Sequence, residues 1–95
     1  MSFLNETERE KLLNELKFMS FNPAKRKLRH MDSKARLVLL RNVQQTGEWM
    51  TRYDLPTLGT RVTLIEDRDA SETVISNAKY DMVKVIVEPL PGNRT

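Results

Sequence analysis

The sequence predicts an α+β fold: an N-terminal helical hairpin, or a three-helix unit, followed by a three-stranded antiparallel sheet. Three observations carry this. Apolar residues recur at helical spacing in the N-terminal part of the chain, and from Glu48 onward they alternate with polar ones, the period of a half-buried strand. Pro56 to Gly59 and Pro89 to Gly92 then punctuate the alternating segments as turns. A chain of 95 residues is long enough for one core and too short for two, so residues 1–92 read as a single small domain and 93–95 as a frayed tail.

Asn5 and Thr7 both suit a helix N-cap, each followed three residues later by a glutamate, Glu8 or Glu10, that can return a hydrogen bond to the cap amide. Leu12, Leu13, Leu16 and Met19 then form an apolar stripe, which extends the first helix to about Met19. Asn22 and Pro23 mark a restart, the first as a cap and the second at the opening helical position, where a missing N–H costs nothing. Ala24, Leu28 and Met31 are the buried stripe of this second helix; Lys25, Arg26 and Arg29 face elsewhere, and Asp32-Ser33 interrupts it.

Residues 34–46 fit two descriptions. Ala35, Val38, Leu39 and Val43 keep helical spacing and Gly47 stands where a helix would end in a left-handed residue, which favours a third helix. The run Leu37-Val38-Leu39-Leu40 also suits a buried strand, giving four strands with residues 36–42 as the first. On either description Lys34 to Gln45 is expected to be mainly core.

The later strands are clearer. Trp49, Thr51, Tyr53 and Leu55 share one face, with Met50, Arg52 and Asp54 on the other. Arg61 to Asp67 follows with Val62 and Leu64 inward, and Tyr80 to Glu88 closes the sheet with Val83, Val85 and Val87 inward. The polar stretch from Arg68 to Lys79 reads as a long loop.

Net charge is only +3, but it is unevenly placed. Residues 25–41 hold seven cations, Lys25, Arg26, Lys27, Arg29, Lys34, Arg36 and Arg41, against Asp32 alone, for a local +6.

Several function classes lose their chemistry. There is no cysteine and only one histidine, His30, so neither a thiolate nucleophile nor a Ser-His-Asp arrangement is expected, and a zinc site lacks ligands. His30 is expected at the surface or partly buried. The three glycines are isolated, which excludes a phosphate-cradling loop. Glu66, Asp67, Asp69 and Glu72 lack the glycine and terminal glutamate of a calcium loop and read as a solvated acidic segment. No catalytic residue, cofactor or metal is therefore expected. Nor is there a transmembrane run or a secretory leader pattern, and the expected location is cytoplasmic or otherwise intracellular.

What remains is the basic segment. Its expected role is that of a non-enzymatic interaction or regulatory module binding a protein partner through a basic helical surface, with Lys25, Arg26, Lys27, Arg29, Lys34 and Arg36 as contact residues. The alternative is non-specific contact of the same 25–36 segment with nucleic-acid phosphates. Trp49 and Tyr53 have the spacing of a base-stacking pair but are first expected in the core. A membrane surface is disfavoured, because Ala24, Leu28 and Met31 lack the bulk of an interfacial helix.

Overall fold

A computed structural model describes residues 3–43, 48–67 and 82–91. Two helices, α1 (Glu6–Leu16) and α2 (Phe21–Met31), precede four strands: β1 (Arg36–Val43), β2 (Glu48–Leu55), β3 (Thr60–Asp67) and β4 (Met82–Pro89). The strands pair antiparallel in the order β1-β2-β3-β4, so each meets its neighbour in sequence.

The start of α1 follows from its cap. The Asn5 side chain accepts from the Glu8 N–H at 2.8 Å, and Glu8 Oε1 accepts from the Asn5 N–H at 2.9 Å, a reciprocal capping box. The helix ends at Leu16, earlier than the spacing of Met19 suggests, and Phe18 is left 84% exposed in the turn. Helix α2 begins two residues before the expected site, with Ser20 as N-cap. Pro23 is consequently its third residue, still within the first turn where the N–H has no intrahelical acceptor.

Asp32 ends α2 and joins three parts of the chain. Its N–H donates to the Leu28 carbonyl and its carbonyl accepts from Ala35. Its buried carboxylate accepts from the Lys34 N–H at 2.8 Å and the Thr57 N–H at 2.9 Å. The second bond ties the α2–β1 turn to Pro56–Leu58, the 3-10 turn that carries β2 into β3. That turn closes on Gly59 at φ 58°, a left-handed conformation; a Cβ there would also lie only 2.5 Å from the Phe3 ring.

The third helix expected over 34–46 is not formed: Arg36–Val43 is a strand, and the sheet has four strands rather than three. The alternative with residues 36–42 as the first of four strands is the one formed, with an irregular register. A bulge between Leu37 and Leu39 takes Val38 out of step, so Leu37 opposite Tyr53 and Leu40 opposite Thr51 lie on the same face although three residues apart. Gly47 lies outside the described residues, as do residues 68–81, where the long loop was expected.

Both helices cover one face of the sheet. Leu12 and Leu16 from α1 and Phe21, Ala24 and Leu28 from α2 cluster with Tyr53, Leu55, Val62, Leu64 and Val85. Tyr53 opposes Val62, which opposes Val87; Thr51 opposes Leu64, which opposes Val85. The expected inward positions of β2, β3 and β4 thus hold, except that the side chain of Val83 lies outside the description. Thr51 is the polar intruder, buried with its hydroxyl unpartnered among the described residues. Thr51→Val, which keeps the shape and removes the unpaired group, is expected to raise stability by about 1 kcal/mol in a urea titration.

The expected solvated acidic segment needs correcting at its first member. Glu66 sits opposite Trp49 on the helix-covered face and is completely buried. Asp69 and Glu72 lie outside the described residues. No helix among the described residues is long and apolar enough to cross a membrane.

Candidate functional site

Helix α2 advances about 100° per residue, which sorts its cations. With Phe21, Ala24 and Leu28 buried, Lys25 and Arg29 fall on one flank, Arg26 and His30 point outward, and Lys27 lies on the opposite flank. Lys27 Nζ pairs with Glu15 Oε1 at 3.2 Å, so that flank faces α1, which in turn packs along β4. The Lys25 and Arg29 flank is therefore turned away from α1. Lys25 Nζ lies 4.9 Å from the Phe21 ring centroid, which holds its stem along the helix.

On the sheet, Arg29 acts on Tyr53 of β2. Burial raises its hydroxyl pKa above the ordinary value, the positive charge of nearby Arg29 works against the rise, and Glu66 adds to it. The folded state thus keeps the phenol proton more tightly than the unfolded chain. This contribution to stability is complete below the ordinary tyrosine value of about 10 and is lost as pH rises through the higher folded value. Tyr53→Phe is accordingly expected to flatten the fall in stability above pH about 10, measured by denaturant titration at several alkaline pH values.

Across the β1–β2 ladder from Tyr53 stands Leu37. Leu37 is 49% exposed, Val38 42% and Leu40 52%, so the expectation that Lys34 to Gln45 is mainly core fails at its apolar centre. The reason is topological: β1 is the end strand, and the helices bury the face of the sheet further in. The outcome is a strip of aliphatic side chains running along the sheet edge.

Three of the six expected contact residues, Lys25, Arg26 and Arg29, gather on adjoining parts of α2. Lys34 is exposed in the turn below them. Lys27 is engaged by Glu15, and Arg36 faces the side of the sheet away from the helices, opposite Asp54. The sequence segment is continuous, but the fold divides its charge among three surfaces.

The sheet face away from the helices holds further cations that sequence position does not group. Register places Arg36, Arg41, Arg52, Arg61 and Lys84 on it. Two are committed within the domain: Arg61 meets the Asp54 carboxylate at 2.8 and 3.2 Å, and Arg52 Nε donates to Thr63 Oγ1 at 3.2 Å. The hydrogen bond to Asp54 raises the Arg61 pKa further, keeping the guanidinium charged. Asp54 is thereby occupied as an ion-pair partner.

The Tyr53 ring is part of the core, as expected, and Trp49 is half-buried beside Glu66 in the β2–β3 ladder. His30 is exposed. No group of three or more His, Cys, Asp or Glu side chains among the described residues is arranged to hold a metal. A cleft of about 340 Å³ between α1 and β4 is lined by Glu6, Arg9, Glu10, Leu13, Val87, Glu88 and Pro89, none of them buried. It offers surface carboxylates and a guanidinium with no nucleophile.

Leu37, Val38 and Leu40 are the site residues that sequence reasoning misplaced. The available signal was their bracketing by Arg36 and Arg41, the pattern of an edge strand that uses charge to limit association. No family model matches the chain, and comparison with curated proteins and with solved structures gives no significant match.

Proposed function

We propose that this chain is a non-enzymatic interaction module that binds a protein partner through the basic flank of α2 and the aliphatic edge of the sheet. The observation supporting this is that the end strand exposes Leu37 and Leu40 on the sheet face that α2 helps to cover, while α2 displays Lys25, Arg26 and Arg29 outside its buried stripe. Protein interfaces combine those two elements: apolar contact supplies affinity and the rim supplies orientation and selectivity. Solvated charge alone would not require the leucines.

The test is affinity capture from nuclease-treated lysate with the wild-type chain and a Lys25→Glu/Arg26→Glu/Arg29→Glu variant, whose fold is checked by circular dichroism. Loss of a captured protein from the folded variant is expected. An unchanged set of captured proteins contradicts the proposal.

A second reading, contact with nucleic-acid phosphates, is favoured by Arg36 and Arg41, which add positive charge on the other face of the same strand. It requires duplex DNA binding that weakens with salt at a log–log slope of about −0.9 per phosphate contacted. Absence of binding at ~50 mM salt ends this reading.

A further inference from the structure

We propose that β1 accepts an extended segment of the partner as a fifth strand, and that this segment alternates apolar residues and carries carboxylates toward its ends. The inference rests on the reading of the chain as a protein-interaction module, and specifies how the partner is held.

The two edges of the sheet differ. At one end, β4 has α1 packed along it, exposes Lys84 and ends in Pro89, features that discourage a further strand. At the other end, β1 exposes Leu37, Val38 and Leu40. Beyond the bulge, Leu39 to Val43 pairs with β2 in unbroken register, so its backbone has the regular geometry that a new strand needs. An added strand satisfies the outward N–H and C=O groups of this stretch and lays alternate side chains against Leu37 and Leu40.

Charge selects the occupant. Residues 33–43 contain Lys34, Arg36 and Arg41 and no acid, and Arg29 of α2 acts on Tyr53, the β2 residue opposite Leu37. A segment ending in carboxylates meets cations on both sides. A second copy of this chain does not: the antiparallel twofold register that brings Leu37 of each copy against Leu40 of the other also sets Arg36 of each against Arg41 of the other. Like charges directly opposite destabilise a strand pair.

The experiment uses the full 95-residue chain and a short fluorescein-labelled peptide of alternating valine and threonine with paired aspartates at both ends. Two companion probes replace the aspartates with lysines or N-methylate the central backbone amides. Fluorescence anisotropy is expected to show binding of the aspartate probe, and affinity lower by about tenfold or more for both companions. Leu40→Lys, a substitution at an exposed position, is expected to weaken the aspartate probe by a similar factor while leaving the circular dichroism spectrum unchanged. No binding of the aspartate probe up to about 1 mM overturns the proposal. So does equal binding of the N-methylated probe, which would leave charge attraction without strand addition, or equal binding of the lysine probe. A chain dimer that Leu40→Lys dissociates would also overturn it, naming a second copy as the occupant. If the peptide arm fails while the charge-reversed α2 variant still loses its captured protein, strand addition falls and the interaction module stands; the reverse pattern removes α2 from the interface.

Discussion

Leu28→Ala lowers the unfolding free energy by about 2–5 kcal/mol, whereas Leu40→Ala changes it by less than about 0.5 kcal/mol. Leu28 is completely buried where α2 meets the sheet, in a cluster that includes Leu16, Tyr53, Val62 and Leu64. Truncation there removes transfer free energy and leaves a cavity that α2 and the rigid sheet cannot both close. Since small domains are stable by only about 5–15 kcal/mol, that loss is a large fraction of the total. Leu40 has the same side chain in the segment that sequence spacing assigns to the core, but it is 52% exposed on the end strand. Urea titration of the two variants therefore separates a core position from a surface one without structure determination. Equal losses at both positions would place β1 inside the core and remove the apolar strip.

The second large effect belongs to Asp32. Replacing it with alanine is expected to cost about 3–6 kcal/mol, because hydrogen bonds to a charged acceptor contribute about 1.5–3 kcal/mol each and two are lost. The Lys34 and Thr57 N–H groups, at 2.8 and 2.9 Å from the carboxylate, lose their common acceptor. Asp32→Asn is informative beside it. Both carboxylate oxygens accept from N–H groups, so the amide cannot satisfy both donors: its NH2 end must face one of them. The asparagine variant should recover only part of the loss. In a domain of this size each kcal/mol moves the thermal midpoint by about 4–8 °C, which makes the ordering wild type, asparagine, alanine measurable by calorimetry. Full stability of the asparagine variant would contradict the two-donor geometry.

Local chemistry made parts of this fold legible. The Asn5 and Glu8 pair announces α1 because a capping box is completed within four residues. The alternation in β2 and β3 identifies their buried faces because both are inner strands, with helices on one side. What sequence could not supply was long-range. Ala35, Val38, Leu39 and Val43 keep helical spacing while Leu37 to Leu40 suits a strand, and only the pairing of Arg36–Val43 with β2 decides between them. Glu66 looks like part of an acidic surface until the ladder with Trp49 turns it inward.

The candidate site divides in the same way. The basic segment is visible as composition, and helical periodicity correctly separates Lys25, Arg26 and Arg29 from Ala24 and Leu28. Periodicity does not reveal that Lys27 turns to Glu15 on the neighbouring helix, or that Arg36 begins a strand facing away from α2. The apolar half of the site was present in the sequence but assigned to the interior, because a run of leucine and valine has the same appearance in a core strand and at an unprotected edge.

Amide hydrogen exchange with and without the aspartate-ended peptide tests the central claim most directly, since strand addition acts on backbone groups. In the free chain, the outward amides within residues 39–43 should exchange faster than those of β3, which has a neighbour on each side. Saturation with peptide is expected to slow those β1 amides by about tenfold or more, leaving residues 84–88 of β4 unchanged. Protection confined to α2 or β4, with β1 unaffected, would contradict the account.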